Sequence, residues 1–451
     1  MINYYDNNTK TLSLPYDFNE EITDLPEETE NIIFNQKCYE NKFTKLMSIL
    51  PKNLTHLTFG NQFNIKVNNL PHGLTYLKFG KLFNQSVNYL PLSLTHLIFG
   101  KLFNQSVDKL PLYLTHLTFG FRFNQPVDNL PENLTHLTFG EKFNYFVEKL
   151  PKNLIHLTFG YEFNQPVDNL PKKLTHLSFG FSFNQSVVKL PENLTHLTFE
   201  YKFNQPVDNL PKNLTHLTFG FNFNQLVDNL PENITHLTFG YVFNQSVDNL
   251  PESLTHLSFG WRFNQSVDNL PESLNHLTFG SCFNKCVKYL PKNITHLTFG
   301  YDFNKPVNNL PEKITHLTFG FCFNKPVNNL PKNITHLTFG NDFNQKIDNL
   351  PKNLFFLRIY FTHDNFVIPK SVKEIMLYCD NNLINNLPEH IEKVFIDFFR
   401  YKIIDKNVSN LPITLKQIII QNKKYEKYVK NPFDTILTIN PKSYEYKYLL
   451  Y

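Results

Sequence analysis

Apolar and polar residues alternate along most of this chain in a short motif that returns at a fixed interval. In Leu134-Thr135-His136-Leu137-Thr138-Phe139, Leu137 and Phe139 share one parity and His136 and Thr138 the other, the pattern of a short strand with one face in a core. The residue after the following Gly140 and its equivalents varies among Asn, Lys, Phe, Glu, Tyr, Trp and Ser. A core slot does not accept that mixture, so the strand must end near the glycine. Phe143, Val147 and Leu150 then bring the chain back to the core before Pro151 opens the next copy. Prolines at that opening position, and at Pro126, Pro166, Pro206, Pro306 and Pro326 inside the return path, forbid a regular helix there and predict extended or polyproline-like backbone.

The copies are 20 residues long and run from Pro51 to Leu350 without insertion. A period of that length means stacked supersecondary units, each too small to bury its own apolar residues and each using its neighbours as the rest of its core. The expected fold is all-β: an elongated parallel β-solenoid, leucine-rich-repeat-like, of about 21 coils. Residues 1–50 read as degenerate capping repeats, with Leu12-Ser13-Leu14, Phe18-Asn19 and Thr29–Phe34 as worn copies of the motif. Residues 51–350 are fifteen regular repeats. Residues 351–451 restart the motif irregularly at Pro369, Pro388, Pro412 and Pro432 and read as degenerate repeats and a cap. One continuous domain is expected. The Asn after each second Phe, from Asn64 to Asn344, can donate and accept through its amide and is expected to bridge successive turns.

Composition narrows the function. The chain has 451 residues, a net charge of +4 and mixed charges throughout, which gives no electrostatic case for nucleic acid or an anionic membrane. Met1–Lys10 lacks the basic start and apolar run of a signal peptide, and no stretch approaches membrane-spanning length. Asn84, Asn104, Asn184, Asn244 and Asn264 head Asn-Gln-Ser sequons at positions expected to face the interior, where glycans would disrupt the stack. An intracellular, soluble protein is expected, in the host cytoplasm if the chain is viral. Cys38, Cys282, Cys286, Cys322 and Cys379 show no paired spacing and read as reduced thiols.

The run Leu210-Pro211 through Phe219-Gly220, with Phe203-Asn204-Gln205-Pro206 before it, resembles the FNIP repeat. That family is a relative of leucine-rich repeats found in social amoebae and amoeba-infecting giant viruses. The copies here depart from it in their 20-residue length and in the frequent Gln or Lys at the Ile position. Similar viral proteins can carry an F-box, which would imply a ubiquitin-ligase substrate adaptor. Residues 11–34 already fit the repeat, leaving about ten residues where a separate helical module would be required.

Two outward rows are the candidate binding features. Fourteen histidines, His56 and every twentieth residue from His96 to His336, share the polar side of the strand. His196, His216, His236 and His256 represent the row in the candidate site. A repeated row of equal rings supplies no converging carboxylate or thiolate, so tiling of the strand face, with bonds to Thr or backbone, is favoured over metal binding. The second row follows the turn glycine: Phe121, Tyr161, Phe181, Tyr201, Phe221, Tyr241, Trp261, Tyr301 and Phe321. Exposed aromatics in a line are protein-binding anchors, unless they only stack on one another and shield the turns. Specificity along the array must come from this row and the next position, as at Arg122, Lys202, Arg262 and Asp302.

No phosphate-binding loop, nucleophile elbow or zinc-protease motif occurs. The expected function is a non-enzymatic scaffold for intracellular protein–protein interaction, without cofactor or metal, whose partner is a protein, a host protein if the chain is viral. A structural or self-associating solenoid is the alternative, and the F-box-type adaptor ranks third.

Overall fold

The computed structural model describes residues 4–15, 25–34, 49–360, 367–378, 387–396, 411–420 and, for strand path alone, 436–439. Phe18-Asn19, Cys38, Cys379 and Pro432 lie outside them. The chain forms two compact units, Met1–Phe221 and Asn222–Tyr451.

In the first unit β1 (Tyr5–Asp6) runs antiparallel to β2 (Thr11–Leu14). From β2 onward the pairing is parallel, through β3 (Asn31–Phe34) and one three-residue strand per coil from β4 (His56–Thr58) to β12 (His216–Thr218). Register is in step with the sequence period: His116 pairs with His136, Leu117 with Leu137 and Thr118 with Thr138. The second unit repeats this from β13 (His236–Thr238) to β18 (His336–Thr338) and continues in parallel through β19 (Phe356–Tyr360), β20 (Glu374–Tyr378), β21 (Lys393–Ile396), β22 (Gln417–Ile420) and β23 (Ile436–Ile439). Each unit is thus a parallel β-solenoid, and no α-helix occurs among the described residues.

The core follows the alternation. In one coil Leu54, Leu57, Phe59, Phe63, Val67 and Leu70 are all buried. Phe59 and Phe63 stack within the coil at 3.7 Å, while Phe59–Phe79 and Phe63–Phe83 continue between coils at 5.7 and 5.9 Å. Two columns of phenylalanine therefore run through the interior, sealed by leucine. The proline opening each coil accepts a turn bond three residues on, as in Leu134 N–H to the Pro131 carbonyl at 3.2 Å. The same turn recurs at Val372 to Pro369, Ile391 to Pro388 and Leu415 to Pro412, so the irregular C-terminal copies keep the local signal that starts a coil.

Turn asparagines form a second ladder. The Asn64 Oδ1 accepts from the Asn84 backbone N–H at 2.9 Å, and the Asn84 Oδ1 does the same for Asn104. The five sequon asparagines are half-buried at this turn and do not point into the phenylalanine core. At the glycines the coils approach so closely that a Cβ on Gly80 would lie 1.8 Å from the Gly60 carbonyl oxygen. Glycine is required there by backbone contact, and no glycine among the described residues has positive φ.

Candidate protein-binding surfaces

Strand alternation places the histidine row on the outer face of the sheet, where its rings are mostly half-buried. Neighbouring rings stack face to face: His96–His116, His116–His136, His176–His196 and His196–His216 at 4.2 Å in the first unit, and His236–His256 at 4.2 Å in the second. The second-unit stack continues to His336 with centroids 4.2–4.3 Å apart.

Ring orientation is set by the residue before each histidine. The Thr135 Oγ1 lies 2.9 Å from the His136 Nδ1 and 3.1 Å from the Thr115 carbonyl of the preceding coil. A carbonyl cannot donate, so the hydroxyl proton goes to it and Nδ1–H donates to the hydroxyl oxygen. Asn275 fits the same direction, its Oδ1, an acceptor only, sitting 2.5 Å from the His276 Nδ1. The lone pair of each ring in this relay then resides on Nε2.

One coil breaks the stack. Residue 155 is Ile, which has no hydroxyl to hold His156, and that ring turns edge-on to both neighbours, with interplanar angles of 83° to His136 and 63° to His176. The change of Thr to Ile was visible in the sequence, but its effect on ring orientation required the relay to be known.

Burial is the first cause holding His116, His136, His156, His176, His276, His296 and His336 below the ordinary imidazole value, and it takes His316 to about 4. Neighbouring imidazoles add to the shift in all of these except His336, where Glu374 opposes it. The unfolded chain therefore takes up protons first as pH falls. Stability from these rings is fully present above the unfolded value of 6.5 and is lost as pH falls from there toward the lower folded values. NMR titration should show broad curves centred below 6.5 for these eight rings. Sharp, independent curves at 6.5 would contradict the stacking.

The aromatic row is stacked as well. Tyr161, Phe181, Tyr201 and Phe221 form a run of four rings at 4.3, 4.3 and 4.5 Å. In the second unit Tyr241–Trp261 and Tyr301–Phe321 are pairs at 5.6 and 4.7 Å. Tyr161, Tyr201 and Tyr301 are exposed, while Phe121, Phe181, Phe221, Tyr241, Trp261 and Phe321 are half-buried. Cations from adjacent positions cover ring faces: Lys101 Nζ is 4.7 Å from the Phe121 centroid, Lys202 Nζ 5.8 Å from Phe181 and the Arg262 guanidinium 5.9 Å from Tyr241. Such a row offers ring edges and tyrosine hydroxyls to a partner while its faces serve the stack. Stacking and exposure coexist along the row.

Sequence reasoning passed over a third feature, the exposed apolar side chains of Tyr89, Leu92, Leu112 and Tyr113, each 64–70 % exposed. Lys, Glu or Asn stands at most equivalent positions, and that contrast was the available signal. Cys282 and Cys322 are partly buried and Cys286 is exposed, all three as free thiols. Among the described residues no group of three or more His, Cys, Asp or Glu side chains is placed to hold a metal ion. Among them too, no helix is long and apolar enough to cross a membrane.

Comparison with known proteins agrees with this anatomy. The FNIP Repeat profile matches residues 46–82, 103–142, 147–182, 183–222, 203–241, 221–260, 243–282, 283–322 and 323–361. CroV588, a circular leucine-rich-repeat protein of a giant virus, is similar at 38% identity and a TM-score of 0.76, over 95% of this chain and 75% of that one. YopM from Yersinia enterocolitica matches at 18% identity and a TM-score of 0.45, over 97% of this chain and 93% of its own. Among curated proteins none matches.

Proposed function

This chain belongs to the FNIP-repeat family, and on that premise we propose that it is a non-enzymatic, intracellular scaffold that binds a partner protein through the outward rows of its coils. Leucine-rich-repeat-like solenoids are typically used for protein–protein interaction. The observation that carries the reading is the run Tyr161–Phe181–Tyr201–Phe221, rings held in line yet partly open to solvent. A preordered aromatic row loses little side-chain entropy on binding, and buried aromatic anchors dominate interface energetics. Lys202 gives this stretch its own local chemistry, as Arg262 does for the Tyr241–Trp261 pair. The partner is a protein, from the host if the chain is viral.

The test is affinity capture from cell extract with the wild type and with Tyr161, Phe181, Tyr201 and Phe221 all changed to Ser. Recovery of a specific protein by the wild type should fall about tenfold or more in the variant, at unchanged circular dichroism. Equal recovery by both would remove the aromatic row from the interface. Recovery of the chain itself alone would favour the self-associating solenoid.

A further inference from the structure

The stack His276–His296–His316–His336 presents a chemistry unlike that of the aromatic row. Its rings lie 4.2–4.3 Å apart and parallel to within about 12°. Each Nδ1 is engaged inward, to Asn275 Oδ1 at 2.5 Å or to Thr295, Thr315 and Thr335 Oγ1 at 2.9 Å. Those threonine hydroxyls give their protons to the backbone carbonyls of Asn275, Thr295 and Thr315 at 3.1–3.2 Å. The relay therefore spends every proton on the protein and leaves each ring an Nε2 lone pair. Parallel rings aim these lone pairs side by side, so they do not converge on one metal ion. The next outward side chains on the same strands, Thr278, Thr298, Thr318 and Thr338, are small hydroxyls. Around neutral pH this face is a regular row of hydrogen-bond acceptors, with Arg358 and Glu374 as the charged neighbours at its His336 end.

We infer that the outer face of β15 (His276–Thr278) to β18 is a docking strip for an arginine-bearing segment of a partner protein, whose guanidinium N–H groups donate to successive His Nε2 atoms. The guanidinium suits the strip because it is always charged, carries five donors and accepts nothing. A carboxylate-bearing segment would set acceptor against acceptor. The inference rests on the protein-binding reading above and names the chemistry of the partner at a separate surface.

The test uses the full chain and two synthetic peptides, one with four arginines spaced by Gly-Ser and its glutamate counterpart, in fluorescence anisotropy at pH 7.5. The variant is His276→Phe, His296→Phe, His316→Phe and His336→Phe together. Phe suits the row because Phe356 already continues it beyond His336, stacked at 5.8 Å. The arginine peptide should bind the wild type in preference to the glutamate peptide and should lose about tenfold or more in affinity with the variant. Because the acceptors are uncharged, most of the difference between wild type and variant should persist in 0.5 M salt, where attraction to surface carboxylates is screened. Equal binding by wild type and variant, preference for the glutamate peptide, or no binding to either would overturn the proposal. No binding of the arginine peptide, with a protein partner still recovered by the wild type and lost on substitution of the aromatic row, would leave the scaffold reading standing while this strip falls.

Discussion

Truncating Phe163 to Ala is expected to destabilise its coil by about 3–5 kcal/mol, the cost of removing a large aromatic from a packed core. Phe163 is fully buried, stacked on Phe159 at 3.7 Å and between Phe143 and Phe183 at 6.0 and 6.1 Å. Its removal therefore breaks one column and strips a face from the other. In a solenoid each coil leans chiefly on its neighbours, so the loss should concentrate near the vacancy. Hydrogen exchange should accelerate most across residues 143–183 and much less near β2 and β3. Uniform acceleration through the first unit would mean that the coils do not act as semi-independent units.

Gly160→Ala is expected to destabilise the same stack through the opposite fault. The added Cβ would sit 2.0 Å from the Gly140 carbonyl oxygen and 2.5 Å from its carbon, an overlap with backbone that only separation of the two coils relieves. Overpacking of this kind costs about 1–3 kcal/mol or more. The chain carries its own comparison at Glu200, which replaces the glycine of the row. Glu200→Gly should take a Cβ out of this contact and stabilise the first unit by about 1 kcal/mol. Urea unfolding of the two variants should shift midpoints in opposite directions; a shift in the same direction would refute the close-approach argument.

The fold was legible because period and parity agree. Leu57 and Phe59 alternate with His56 and Thr58, the same parity returns in each regular copy, and the chain is confined to a parallel stack once its proline turns and glycine contacts repeat at the same interval. The Asn ladder could be foreseen from one amide per coil at a turn. Ring orientation could not, because it depends on where a single hydroxyl proton goes. A threonine hydroxyl before His156 would have held that ring in line, whereas Ile155 lets it turn. The aromatic row was legible as a row, but whether its rings face solvent or one another is decided by spacing of a few ångströms between side chains. Leu92 and Leu112 escape a reading of the period because they carry information only as departures from it.

The most direct test of the proposed scaffold is hydrogen-exchange mass spectrometry of the full chain with and without the protein it recovers from cell extract. Binding through the outward rows predicts partner-dependent protection at the strands and post-glycine turns between His156 and Phe221, or along His276–Thr338 if the arginine strip is used. Protection confined to residues 1–50 and 351–451, with the regular coils unchanged, would contradict it.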